Sequence, residues 1–143
     1  MRSRGAKGRV GPKPVLLLDE CICAKTIIDA LEQAGEEVHT VIGEYGRGRQ
    51  DQEWLPDAGG KRYVVLTKDR AIRRTPLECA AVMDNRVLYF ALTSGNMTGE
   101  QMAKAIVAAL ADIKGIVAGV KGRGAVMARI SVDGRVCVLE ARQ

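Results

Sequence analysis

Three acids sit where a carboxylate can do chemistry. Asp19 follows the apolar run Val15–Leu18, Asp69 closes the run that begins at Tyr63, and Asp51 opens a helical pattern after a glycine-rich stretch. In an open parallel sheet, ligands bind beyond the carboxyl ends of the strands, where strand order reverses. If the first and third strands are neighbours, their ends lie about 4.8 Å apart. Two ionised carboxylates that close repel, so one takes up a proton or a cation sits between them. Oxygen ligands without histidine or cysteine favour Mg²⁺ or Mn²⁺. Such a cation activates water and offsets charge on a phosphate during in-line displacement. A plainer reading stands beside this one. Asp is a preferred N-cap, and each of the three acids immediately precedes a candidate helix. One residue can fill both roles.

Other side chains fall near these acids. Glu20 faces the same edge or solvent, and Glu53 lies in the first turn of its helix, where a negative charge suits the helix dipole. Glu78 reaches the edge only if its helix folds back, and a surface position is the simpler reading. Arg47, Arg49, Lys68, Arg70, Arg73 and Arg74 cluster around the acids in sequence. They are candidates to hold RNA phosphates, or else a solvated basic surface that pairs with the carboxylates themselves. Trp54 reads as helix packing before base stacking, and His39 as structural. Cys21, Cys23, Cys79 and Cys137 lack the spacing of a zinc site and read as small, semi-buried thiols.

The elements that must position these residues follow from periodicity. Val15–Leu18 suits a strand buried on both faces. Residues 22–34 carry a helical stripe of Ala24, Ile27, Ile28 and Leu31, stopped by Gly35. Val38, Thr40 and Ile42 predict a second strand, and so a βαβ unit with a parallel sheet. Gly43–Gln50 predicts a mobile loop, Asp51–Ala58 a short helix ended by Gly59-Gly60, and Tyr63–Leu66 a third strand with Thr67-Lys68-Asp69 at its end. A helix over about 70–83, kinked near Pro76, precedes a fourth strand, Arg86–Leu92. A long helix starts at Thr98 or Gly99, with Met102, Ile106, Leu110 and Ile113 on one face. A hairpin then turns at Asp133-Gly134, with Val126, Ala128, Ile130 and Val132 alternating before the turn. The domain plan is a basic tail at 1–13, a main body at 14–113, a glycine-rich linker at 114–124 and a hairpin at 125–143.

Bulk properties agree with one globular domain. The chain has 143 residues, 47% hydrophobic and 27% charged. Aromatics make up only 3%, which argues against an aromatic platform for stacking bases. The net charge is +5 and the isoelectric point about 9.2, which favours polyanionic partners or simply aids solubility. No apolar run is long enough to span a bilayer and no leader pattern follows the basic tail, so a cytoplasmic location is expected.

The runs V-L-L-L-D-E at 15–20, D-Q-E-W-L at 51–55 and Y-V-V-L-T-K-D at 63–69 resemble the PIN-like group of ribonucleases. The helix at 98–110 and the run A-V-M-A-R-I-S-V-D-G-R-V resemble the C-terminal part of PIN-like toxins of the VapC type. The resemblance covers about residues 15–140. It implies a three-layer α/β fold with a mainly parallel sheet and a C-terminal β-hairpin. It further implies an endoribonuclease dependent on Mg²⁺ or Mn²⁺, a cognate antitoxin, RNA as substrate and a homodimer. By motif, Asp19, Asp51 and Asp69 become the catalytic metal ligands, with Glu20 as the candidate fourth acid. Two other readings stay open. One is a catalytically silent RNA- or protein-binding module on the same fold. The other is a phosphoacceptor domain, with Asp19-Glu20 as its acidic pair and Thr93 or Ser94 as its hydroxyl; it fits less well, because Asp51 does not end a strand.

Overall fold

The computed structural model describes residues 13–69, 76–93, 96–120 and 122–143. Strand β1 (Val15–Leu18) leads through a 3₁₀ turn, Glu20–Ile22, into α1 (Lys25–Gln33). There follow β2 (Glu37–Thr40), α2 (Val41–Tyr45), α3 (Asp51–Gly60), β3 (Val64–Asp69), α4 (Pro76–Asp84), β4 (Leu88–Thr93), α5 (Gly99–Gly119), β5 (Ala125–Ile130) and β6 (Val136–Arg142). The strands form one sheet in the order β2-β1-β3-β4-β5-β6. All neighbouring pairs are parallel except β5 with β6. Strand order therefore reverses between β1 and β3, and the carboxyl ends of those two strands mark the edge where a ligand site is expected.

Two apolar layers flank the sheet. On one face Leu16, Leu18, Leu66 and Phe90 pack with Ile27 and Leu31 of α1 and with Ile106, Ala109 and Ile113 of α5. On the other, Leu17, Val65 and Met127 pack with Trp54, Leu55 and Ala58 of α3 and with Val82 and Met83 of α4. Alternate residues of each strand thus point to opposite layers, which accounts for the unbroken apolar runs of β1 and β3. The three-layer α/β architecture with a mainly parallel sheet and a C-terminal hairpin is the one expected.

Several local expectations change. Ile42 continues no strand: the Thr40 hydroxyl accepts the Gly43 N–H at 2.9 Å and starts α2 instead. Helix α3 runs through Gly59 and Gly60, where a stop was expected. A Cβ on Gly59 would come within 1.9 Å of the Asn85 carbonyl oxygen, so this glycine serves the contact between α3 and the end of α4. Alanine normally favours a helix over glycine by about 1 kcal/mol. Here overpacking outweighs that gain, and Gly59→Ala is expected to destabilise the fold by about 1–3 kcal/mol in denaturant unfolding.

Helix α4 begins at Pro76; the expected helical residues 70–75 lie outside the described residues. Strand β4 begins at Leu88, because Arg86 takes a left-handed conformation in the turn before it. Helix α5 continues to Gly119, through much of the stretch expected as a linker. Its start is a capping box: Gln101 N–H donates to Thr98 Oγ1 at 3.1 Å and Thr98 N–H to Gln101 Oε1 at 2.8 Å. The hairpin turn is longer than two residues. Ser131 N–H donates to the Arg135 carbonyl, and Gly134 adopts φ 88° within the loop.

Candidate functional site

Asp19 is the first residue beyond β1. Its N–H donates to the Leu66 carbonyl of β3 at 3.0 Å, extending the ladder between the two strands by one bond. Its carboxylate is held on both sides. Oδ1 accepts the Glu20 N–H at 2.7 Å, and Oδ2 accepts the Thr67 hydroxyl at 2.8 Å. The first of these bonds caps the 3₁₀ turn, so the capping reading of Asp19 is correct. A carboxylate has about four lone-pair positions, so these two bonds and a weak one from the Cys21 thiol leave capacity for a ligand. The Cys21 thiol lies 3.3 Å from Thr67 Oγ1 and 3.8 Å from Asp19 Oδ2, and accepts the Lys68 N–H at 3.4 Å. Thr67, 4% exposed, is one of few buried polar residues, and its partner is the candidate catalytic acid.

Asp51 is not the cap of α3. Gln50 holds that position, and its N–H donates to Glu53 Oε1 at 3.1 Å. Asp51 is the first helical residue and is exposed. The loop before it was expected to be mobile, yet it is tethered. Gly48, at φ 73°, donates its N–H to Glu20 Oε1 at 3.1 Å, and Arg49 Nε donates to the Tyr45 carbonyl at 2.9 Å. Glu20, the candidate fourth acid, therefore ties the loop that delivers Asp51 to the turn that carries Asp19. Asp69 is the last residue of β3, two beyond Thr67, and pairs with Thr93 of β4. Its side chain lies outside the described residues, as does that of Glu78.

Among the basic candidates, Arg47 is exposed, and Arg49 Nη1 lies 3.8 Å from Glu53 Oε1. Lys68 is half-buried. Arg70, Arg73 and Arg74 lie outside the described residues, as does Ser94. Thr93 donates its hydroxyl to the Ile130 carbonyl at 2.9 Å.

Trp54 packs in the core at 2% exposure and stacks with Tyr45 at 6.2 Å between ring centroids. His39 Nε2 lies 2.9 Å from Glu37 Oε2; its Nδ1 is 3.3 Å from Glu44 Oε2, but without hydrogen-bond geometry. Burial, aided by its bond to Asp57, pushes the Tyr45 hydroxyl well above its ordinary pKa. Cys21, Cys23 and Cys79 are semi-buried, whereas Cys137 is exposed on β6.

Sequence reasoning missed Thr67, Cys21 and Arg129. Thr67 looks like an ordinary strand residue until β1 is known to lie beside β3. Arg129 of β5 pairs with Ala91 of β4, which pairs with Thr67 of β3, so all three stand at one level of the sheet. Its Nε is buried and has no hydrogen-bond partner among the described residues. Nothing local marks it, because an arginine in an alternating strand reads as solvent-facing.

The residue types fit a hard divalent cation, since the candidate ligands are carboxylate oxygens. Among the described residues, however, no three histidine, cysteine or acidic side chains gather as a ligand group. In the described part of the site the Asp19 and Glu20 carboxylates are each held by hydrogen bonds.

A mainly parallel α/β domain with an aspartate fixed at its switch point has the architecture of a ligand site built on strand ends. The chain matches the family described as "PIN like domain" over residues 14–94, more than half its length, and belongs to that family. PIN-like domains are commonly nucleases, which supports a hydrolase at the coarse level, and they generally use divalent metals. No match was found among curated proteins or among solved structures. No helix among the described residues is long and apolar enough to cross a membrane.

Proposed function

We propose that this chain is an endoribonuclease whose site lies at the carboxyl ends of β1 and β3, with Asp19 as its central carboxylate. The observation that carries this reading is the fixing of Asp19, at a topological switch point, by the Thr67 hydroxyl and the Glu20 N–H in a PIN-like domain. Asp51 and Asp69 are the other two acids of the proposed set, with Mg²⁺ or Mn²⁺ as the cation they would hold alongside Asp19. When bound, that cation supplies Lewis-acid stabilisation and activation of water. The chain's own part is positional. Thr67 and the Glu20 N–H orient Asp19, and Glu20 holds the loop that leads to Asp51. Arg129, level with Thr67 and with its buried Nε lacking a hydrogen-bond partner among the described residues, is the cation proposed to offset phosphate charge. A narrower reading, a toxin restrained by a cognate antitoxin and acting as a homodimer, rests only on the likeness to VapC-type proteins.

A second reading is a silent RNA- or protein-binding module on the same fold. It is favoured by the capping role of Asp19. The deciding experiment incubates labelled RNA with the protein in Mn²⁺, in Mg²⁺ and in chelator. Cation-dependent cutting that Asp19→Asn and Asp69→Asn both abolish supports the nuclease. No cutting in either cation, with no cation-induced rise in melting temperature, supports the silent module.

A further inference from the structure

The edge of the sheet opposite Asp19 carries an unexplained arrangement. Helices α1, α3 and α4 end in the same way before β2, β3 and β4. Glu36 N–H donates to the Leu31 carbonyl, Tyr63 N–H to Ala58 and Val87 N–H to Val82, each at 3.0 Å. This closure needs a left-handed residue one position earlier, and glycine is the usual occupant because it has no Cβ to clash. Gly35 fills that position after α1, at φ 89°. After α3 and α4 it is Arg62 at φ 59° and Arg86 at φ 60°. An arginine held twice where glycine is easier points to a use for its side chain.

Along the strand starts, the guanidinium groups of Arg62 and Arg86 each reach the backbone of the next arginine. Arg62 Nη1 donates to the Arg86 carbonyl at 2.7 Å, and Arg86 Nη1 donates to the Arg123 carbonyl at 3.3 Å. Arg123 itself lies just before β5. A guanidinium has five N–H donors, so each of these bonds leaves most of them unused. None of the three arginines pairs with an acid among the described residues. Asp57 and Asp84, on the same helices, are engaged by Lys61 at 3.0 Å and Arg142 at 3.3 Å. Burial, and then the neighbouring charge of Arg86, push Arg62 below its ordinary pKa, as expected of cations gathered without a counter-charge.

We propose that the amino-terminal edge of β3, β4 and β5 is a second RNA contact, where Arg62, Arg86 and Arg123 hold the phosphate backbone away from the carboxyl edge. A row of cations, rather than a pocket, suits a linear polyanion. Guanidinium forks match phosphate oxygens, and such contacts position a strand without reading its bases. The choice of RNA among polyanions rests on the nuclease reading.

The test uses the full chain carrying Asp19→Asn, so that bound RNA is not cut, and a labelled single-stranded RNA read by fluorescence anisotropy over a range of salt. Arg62→Gly, Arg86→Gly and Arg123→Gln are combined. Glycine relieves the left-handed backbone, so the fold should hold, and a melting curve checks it. A control removes the same charge at the exposed Lys25, Lys104 and Arg135 by substitution with glutamine.

The arginine variant is expected to bind about tenfold or more weakly, with a salt slope shallower by about 2, at roughly 0.7 for each lost phosphate contact. The control should change much less. Equal affinity and slope in variant and parent would overturn the proposal, as would a parent that does not bind RNA. Loss of binding to polyglutamate with RNA binding unchanged would reassign the row to an acidic protein. Cleavage by the chain with Asp19 intact is scored separately. Binding through the arginines, with no cutting by the chain that keeps Asp19, defeats only the nuclease reading. Cutting by the chain that keeps Asp19, with normal binding by the arginine variant, defeats only this one.

Discussion

Asp19→Asn is expected to lower RNA cleavage by about 100- to 1,000-fold or more, which corresponds to about 2.7–4 kcal/mol of lost transition-state stabilisation. The fold should barely notice. Asparagine keeps one carbonyl oxygen to accept the Glu20 N–H, and the Thr67 hydroxyl can accept from its amide in place of donating to a carboxylate. What is lost is the charge and one acceptor. The structural cost is that of one altered hydrogen bond, about 1 kcal/mol. Asp19→Ala should behave differently. It removes the cap of the 3₁₀ turn and leaves the buried Thr67 hydroxyl only the weak contact with the Cys21 thiol, together at about 1–3 kcal/mol. Comparing cleavage rates and melting temperatures of the two variants separates chemistry from support. Cleavage by Asp19→Asn at the parent rate would remove Asp19 from the mechanism.

The largest expected effect on stability lies far from that edge. Glu36, between α1 and β2, has a side chain only 1% exposed. Its Oε2 accepts from Lys114 Nζ of α5 at 2.5 Å, while its Oε1 is buried without a hydrogen-bond partner among the described residues. Breaking a buried pair from one side leaves an uncompensated charge, which costs about 3–5 kcal/mol. Lys114 is 41% exposed, so water reaches its end of the pair and the lower figure applies.

Lys114→Met is therefore expected to cost about 3 kcal/mol, a large part of the roughly 5–15 kcal/mol that stabilises an ordinary domain. Glu36→Gln should cost less, because it leaves no buried charge. Lys114→Met combined with Glu36→Leu should recover most of the loss, since apolar replacements of buried pairs are often neutral. Urea unfolding of the three variants measures this ordering. A combined variant as unstable as Lys114→Met alone would show that the pair contributes through packing and not through charge.

How much of this was readable in the chain follows from the range of the forces involved. Sequence by itself determined the apolar strand β1, the stripe of α1, the capped start of α5 and the alternation of β5. Each is a local periodicity set by backbone geometry. It also put Asp19 and Asp69 at strand ends, because the end of an apolar run is a local feature too.

One-residue questions were harder. Ile42 fitted a two-residue period, yet the side chain of Thr40 turned the backbone into α2. Asp51 read as a cap, yet Gln50 took that place, because the choice depends on where the tethered loop hands over to the helix. Tertiary structure alone decided the rest. The Thr67 hydroxyl meets Asp19 across 48 residues, and Glu20 meets Gly48 across 28. Arg129 stands level with Thr67 only because β4 lies between their strands. Those contacts depend on strand order, which is fixed by how the whole sheet buries its two faces and by no short stretch of sequence.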